Sequence, residues 1–410
     1  MVIPDARTII IGAGQCGLTM SWELSSRAID HLVLERGDIG ESWRSERWDS
    51  LRMLTPNWAN MLPGMAHAEP DGFMKPAEFL SQLEAFAAPS RSNIKTKTHV
   101  EAVTQKGGLF EVRCDRGVLS AETVVLATGA AAQPVVPKLA HQIPDDIVQI
   151  TPDRYRSPLD VPDGDVLVVG ASATGVQLAR ELRLAGWGVT LAVGSHVRLP
   201  RRYRGRDIEY WLHVTGVLDQ NTEEIYDLAR AMKLPSPQLM GGQSDVDLNA
   251  LQAIGVKLVG RLAAVRDGMA LFSGGLAHLA TAADLKMHRL FDLIDAWIAD
   301  TGATAAHPDR PAPTQLPADP VLSLPLVGGN IKSVIWATGF APDFSILDMP
   351  VFDRRGRLMH DGGVCAVPGL YVLGLPFLRR RRSHHISGAA ADARDLASLL
   401  ECHLKARSAA

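Results

Sequence analysis

Two short turns hold the residues whose types and spacing point most clearly to chemistry. Thr8-Ile9-Ile10-Ile11 runs into Gly12-x-Gly14-x-x-Gly17, and Val166-Leu167-Val168-Val169 runs into Gly170-x-Ser172-x-x-Gly175. In such a strand-turn-helix the first glycine permits the tight turn. The second lets backbone approach a pyrophosphate, and the third lets the helix pack close on the strand. Phosphates then face the helix N-terminus, where free N–H groups and the dipole favour negative charge. Gln15 in the first turn, and Ser172, Ala173 and Thr174 in the second, flank that position. Two such sites imply two dinucleotides between which a hydride can pass, so the chain reads as a redox enzyme.

The residues after each turn differ in sign. Glu35, with Arg36 beside it, follows Gly12 by 23 residues at the end of the next apolar run, where a carboxylate can accept bonds from ribose hydroxyls. The matching place after the second turn holds no acid but Ser195, His196, Arg198 and Arg201. Guanidinium forks and a hydroxyl suit a ribose 2′-phosphate, so NADPH is expected there over NADH. A second echo joins the halves: Ala127-Thr128-Gly129 and Ala337-Thr338-Gly339 each end an apolar strand. Four scattered cysteines, Cys16, Cys114, Cys365 and Cys402, form no CxxC pair and suit a reducing compartment. No HxH or HExxH spacing argues for a metal. His384-His385, ahead of the C-terminal helical stretch, is the histidine pair of interest.

These motifs need elements to place them. The expected fold class is α/β, with two Rossmann-like dinucleotide-binding domains, the second inserted into the first. Residues 7–36 read as strand, helix, strand, and 76–88 as a helix with Pro76 in its first turn. His99 to Asp115 reads as a hairpin turning at Gly107-Gly108. Proline and glycine clusters near 158–164 and 301–320 divide the chain into 1–160, 161–319 and 320–410. Length suits two or three domains, and a net charge of −3 gives no reason to expect nucleic acid. No basic region precedes an apolar leader and no run nears the ~18 apolar residues of a membrane span. The expectation is therefore a soluble, cytoplasmic protein. The basic run Arg379-Arg380-Arg381-Arg382 is a candidate dock for an acidic partner.

With these features the chain resembles the two-dinucleotide flavoproteins, and within them the class B flavin-containing monooxygenases related to plant indole-pyruvate monooxygenases. The most specific stretches are Gly40-x-x-Trp43-Arg44, Trp48-Asp49-Ser50-Leu51-Arg52 through Thr55-Pro56-Asn57-Trp58, Leu199 to Asp207, and Gly369 to Pro376. The resemblance implies FAD in the first domain and NADPH in the inserted one. Gly12, Gly14, Gly17 and Glu35 would hold FAD, with Trp43 and Arg44 along the flavin, Thr55 close by and Val100 at the adenine. Gly129 and Gly339, with Ala127, Thr128, Ala337 and Thr338, would be close-approach turns, and Gly374 with Leu375 would lie near the isoalloxazine. Gly170, Ser172, Gly175, Ser195 and Arg198 would face NADPH. Asn57, His384 and His385 are the active-site candidates.

The implied reaction is NADPH- and O2-dependent oxygenation of a small, largely apolar molecule through a flavin C4a-(hydro)peroxide. The alternative is a flavoprotein reductase or oxidase passing electrons to a quinone, small-molecule or protein acceptor. A homodimer is left open. The sequence departs from the family in its linker signature, FxGxxxHxxx(Y/F): Asp145, Ile147 and Thr151 replace Phe, Gly and His, and Tyr155 alone matches. The substrate pocket is expected to draw on 50–65 and on 208–245, where Trp211, Leu212, Tyr226, Met232 and Met240 lie.

Overall fold

The computed structural model describes residues 5–409. β1 (Ala6–Ile11), α1 (Gln15–Ser26) and β2 (His31–Leu34) form the expected βαβ opening. After α2 (Glu41–Ser45), α3 (Pro76–Ala87) starts on Pro76, as its lack of an N–H suits. β3 (Ile94–Lys95) precedes the hairpin of β4 (Val100–Lys106) and β5 (Leu109–Cys114), whose turn takes positive φ at both Gly107 and Gly108. β6 (Gly117–Leu126) pairs with β5 early and with β1 late.

The chain then crosses on β7 (Gln133–Pro134) to β8 (Val148–Ile150), β9 (Asp165–Val169), α4 (Ala173–Leu184) and β10 (Val189–Ala192). An excursion carries β11 (Arg202–Tyr203), β12 (Arg206–Asp207), α5 (Ile208–Val214), α6 (Leu228–Ala231) and α7 (Leu248–Ala253) before β13 (Lys257–Val259). β14 (Leu262–Arg266), β15 (Met269–Phe272), α8 (Leu276–Thr301), β16 (Ser323–Pro325) and β17 (Ile331–Trp336) follow. β18 (Phe340–Ala341) pairs with β7 as the chain returns. β19 (His360–Asp361), β20 (Val364–Cys365), β21 (Leu370–Val372) and α9 (Ile386–Ala409) close the first unit.

The first sheet runs β19-β20-β21-β6-β1-β2-β3 and the second β13-β10-β9-β17-β8. In both, the glycine-turn strand has its βαβ partner on one side and the Ala-Thr-Gly strand on the other. That places the turn at the switch point where strand order reverses, the crevice in which open α/β sheets bind ligands.

This topology corrects the domain boundaries. β8 and β17 pair with each other in the second sheet and β17 also pairs with β9, so the second unit spans both 161 and 319. Its true limits are the crossings at β7 and β18. The proline-rich stretch is no boundary but a strap on the second unit: Thr314 N and Oγ1 reach Asp284 of α8, and Gln315 N reaches Asn249 of α7.

Strand cores are largely apolar, as expected of parallel strands covered on both faces, and the buried Thr8 and Thr123 hydroxyls of β1 and β6 bond each other at 2.8 Å. Ile9, Ile10, Val33, Val124 and Val125 are wholly buried, each stabilising by about 1.5–3 kcal/mol relative to exposure. α1 packs on α9 over this sheet. Trp48 and Leu51, from the first unit's irregular arm, insert into the second unit's core beside Tyr155 and Val168. The arm thus ties the units together, which gives Trp48 and Leu51 of the Trp-Asp-Ser-Leu-Arg run a packing role.

Candidate dinucleotide-binding site

The two turns are built alike. Gly12 has φ +109° and Gly170 φ +110°, and a Cβ on either would stand 2.5 or 2.2 Å from the carbonyl oxygen of Ala127 or Ala337. A Cβ on Gly17 would meet the Gly12 oxygen at 1.8 Å, and one on Gly175 the Gly170 oxygen at 1.9 Å. Gly14, by contrast, has nothing within 4 Å. Its backbone (φ −82°, ψ −173°) is nearly that of Ser172 (φ −84°, ψ −176°), so serine there needs no strained conformation. Neither α1 nor α4 has an acidic residue in its first turn or a side-chain cap, which leaves the terminal N–H groups open to an anion.

Gly129 and Gly339 repeat the likeness at the Ala-Thr-Gly exits, with φ +88° and +98° and open space above each. The buried Thr128 hydroxyl has no hydrogen-bond partner, whereas Thr338 donates to the Val135 carbonyl. Gly374, at φ +88°, passes so near the first turn that a Cβ would stand 2.6 Å from Cys16 Sγ. Leu375 packs against the adjoining core.

Glu35 is buried, and its carboxylate accepts from Ala13 N at 2.7 Å and Gly37 N at 2.9 Å. Each oxygen keeps a lone pair for a ribose hydroxyl. Arg36 is exposed and paired with Glu46. Trp43 donates to Gln15 Oε1 at 3.3 Å and meets Phe79 edge-on, so two sequence candidates brace each other beside the turn. Val100 is buried at the start of β4. These residues fit an adenine dinucleotide: an open turn, unspent N–H groups, an orphaned hydroxyl and an acid at the next strand's end.

Several candidates do other work. Arg44 is held by Glu84 of α3 at 2.7 Å; Arg47, missed in sequence, stacks over Trp43 instead. Asn57 is buried with both amide ends committed, Oδ1 to Met74 N and Nδ2 to the Glu69 carbonyl, so it braces the 67–74 loop. Thr55 donates to Asn60 Oδ1 within the preceding 55–60 turn.

The expected 2′-phosphate arginines are spent as well. Arg198 is 3% exposed, with Nε and Nη2 on Asp247 and Nη1 on Asp284 and the Ala312 carbonyl. Arg201 is 1% exposed and bonds Asp207 and the Leu54 carbonyl. His196 is buried and bonded to the Gly194 carbonyl, and burial lowers its pKa. Of the four, Ser195 alone is exposed.

The basic run is not a free dock. Residues 379–382 pair through backbone with 218–222. Arg380 holds Asp392 and Asp395, Arg379 holds Asp395, Arg381 bonds Gln220 and Arg382 pairs with Asp219. Among the pocket candidates, Trp211 is core, donating to the Tyr203 carbonyl, while Tyr226 and Met232 face solvent.

His384 and His385 meet edge-on, 4.6 Å apart, just ahead of α9. Desolvation lowers both pKa values, and for His385 the added repulsion from His384 and Arg382 takes it to about 3. Burial pushes the Cys16 and Cys365 thiols up to about 12, and all four cysteines are free. A thiolate relay at the first turn is therefore disfavoured.

Glu209, on α5, is 5% exposed, and burial raises its pKa to about 7, against the pull of Arg201 and Arg382 and with the push of Asp207. Its folded value lies above its unfolded one, so stability falls as pH rises from about 4.5 through 7. Glu209→Gln is expected to stabilise the protein by about 3 kcal/mol more at pH 8 than at pH 4. Denaturant melts at both pH values check this; an equal change at both contradicts it.

A fold with two such turns at two switch points defines a two-dinucleotide oxidoreductase. The model of the pyridine nucleotide-disulphide oxidoreductase family matches residues 9–227, just over half the chain, and the protein belongs to that family. It is 30% identical over 389 residues to an uncharacterized CzcO-like oxidoreductase of Geobacillus kaustophilus, covering 94% of this chain and 95% of that one. It is 32% identical over 182 residues to the probable indole-3-pyruvate monooxygenase YUCCA4 of Arabidopsis thaliana, 42% of this chain and 43% of the relative. A mutant flavin monooxygenase from Stenotrophomonas maltophilia shares the fold at TM-score 0.69 and 18% identity, covering 98% of this chain and 100% of that one.

Proposed function

We propose that this chain is an FAD-dependent monooxygenase that spends NADPH and O2 on a small, largely apolar organic molecule. The observation that carries the reading is the near-identity of two open phosphate turns in one chain, with no cysteine pair among the described residues to take the electrons elsewhere. Likeness to proteins named as flavin and indole-3-pyruvate monooxygenases supports it. Overall, substrate, O2, NADPH and a proton give oxygenated substrate, water and NADP+.

FAD, when bound, would supply the redox chemistry, hydride acceptance from NADPH and activation of O2. The chain's own residues hold and enclose. The N–H groups opening α1 take the FAD pyrophosphate and Glu35 accepts from its ribose, while the N–H groups opening α4 take that of NADPH. Trp43, held by Gln15 and flanked by Phe79, gives the flavin side an apolar wall that excludes water. His385, its pKa taken down to about 3, places no charge at the start of α9.

The linker supports a second reading, an NADPH oxidase or reductase that transfers no oxygen. Tyr155, the one match to the family's linker signature, is buried in the second unit's core. The test supplies FAD-loaded protein with NADPH, methyl phenyl sulfide as probe and 18O2. Sulfoxide bearing one labelled oxygen is the expected product. Hydrogen peroxide equal to the NADPH consumed, with the probe untouched, favours the oxidase.

A further inference from the structure

The end of β10 is where a pyridine dinucleotide's adenosine ribose would lie, and it carries neither an acid nor a free arginine of its own. Val193, Gly194 and Ser195 follow the strand, while the downstream Arg198 and Arg201 are buried in ion pairs. The neighbouring strand supplies what this loop lacks. β10 and β13 run parallel with Ala192 opposite Val259, so two residues further Gly194 stands opposite Arg261. A Cβ on Gly194 would lie 3.8 Å from Arg261 Nε.

The backbone beneath this arginine is fixed. Val193 N donates to the Val259 carbonyl at 2.9 Å, and Ser273 N to the Arg261 carbonyl at 2.9 Å. Gly260 allows the close pass, since a Cβ there would be 1.8 Å from the Ser273 oxygen. Gly194 is itself held, its carbonyl bonded by the buried His196. Yet the Arg261 side chain is exposed and makes no hydrogen bond or ion pair among the described residues. A free cation on a rigid base, beside an exposed serine hydroxyl and past two parallel strand ends, suits a phosphate monoester on a ribose.

We propose that Arg261, with the Ser195 hydroxyl, selects the phosphorylated donor by holding the 2′-phosphate of NADPH. This rests on the NADPH reading above. It moves the selecting charge from the loop that follows β10 to the strand beside it.

Equilibrium binding tests it on FAD-loaded protein, with 2′,5′-ADP and 5′-AMP as probes and calorimetry as the readout. Wild type is expected to prefer 2′,5′-ADP. Arg261→Ala should weaken 2′,5′-ADP by about 10- to 100-fold and leave 5′-AMP within about twofold, with Arg261→Lys falling between. The side chain is exposed and without partners, so the variant should melt with wild type. If Arg261→Ala keeps the preference, or weakens both probes equally, the assignment to Arg261 is wrong while the NADPH reading stands. If wild type itself shows no preference and does not oxidise NADPH, the donor reading fails and this proposal fails with it.

Discussion

Gly175→Ala is expected to give a protein that still carries FAD but can no longer be reduced by NADPH. The new methyl would stand 1.9 Å from the Gly170 carbonyl oxygen and 3.3 Å from Ala337 Cβ. The atom in the way is backbone, so α4 must move off β9 or the turn must open. Overpacking of this kind costs about 1–3 kcal/mol or more, and the displacement carries the phosphate-facing N–H groups with it. The first unit has its own sheet and its own turn, so its cofactor should stay.

The mirror substitution, Gly17→Ala, puts a methyl 1.8 Å from the Gly12 oxygen and should yield colourless protein. Absorbance of the purified variants separates the two effects. Anaerobic titration of Gly175→Ala with NADPH, then with dithionite, completes the comparison: dithionite alone should bleach the flavin. Normal bleaching by NADPH would show that this turn holds no nicotinamide donor.

Arg198→Met should unfold the second unit rather than alter donor choice. The guanidinium is enclosed by Asp247 at 2.6 Å and Asp284 at 2.8 Å, with Ala312 of the strap on the same nitrogen as Asp284. Removing it leaves the two partly buried carboxylates without their shared cation, a loss of up to about 3–5 kcal/mol. Burial tends to raise the Asp284 pKa, but the Thr314 and Arg198 hydrogen bonds outweigh it and hold the carboxyl below its usual value. The folded pKa is thus depressed. Its contribution is present above the unfolded aspartate range and lost as pH falls through the lower folded value. Urea melts should therefore show Arg198→Met most damaging near neutral pH and closer to wild type in acid. The triple variant Arg198→Met, Asp247→Asn, Asp284→Asn should recover part of the loss. A stable Arg198→Met with selectively weakened NADPH binding would restore the arginine to the cofactor site.

What could be read from sequence was what local rules decide. Both glycine turns, the βαβ opening, the Gly107-Gly108 hairpin and the Pro76 helix start depend on residues within a few positions of one another. Arg198 could not be assigned because its partners Asp247 and Asp284 lie far along the chain and meet it only in the folded second unit. Asn57 failed for the same reason, since the backbone at Glu69 and Met74 uses its amide. The 301–320 prolines imitate a linker, yet Asp284 and Asn249 pin that stretch down. β8 and β17 are short strands whose membership of the second sheet is a matter of pairing, which their sequences do not express. Arg261 carries no motif at all; its meaning comes from the β10–β13 register.

Anaerobic mixing of the FAD-loaded protein with one equivalent of NADPH tests the central claim most directly, because the account requires both dinucleotides to meet within a single chain. The flavin band should bleach in proportion to NADPH added, without any mediator, and regain its colour when air is admitted. A flavin that dithionite bleaches but NADPH leaves oxidised would contradict the account.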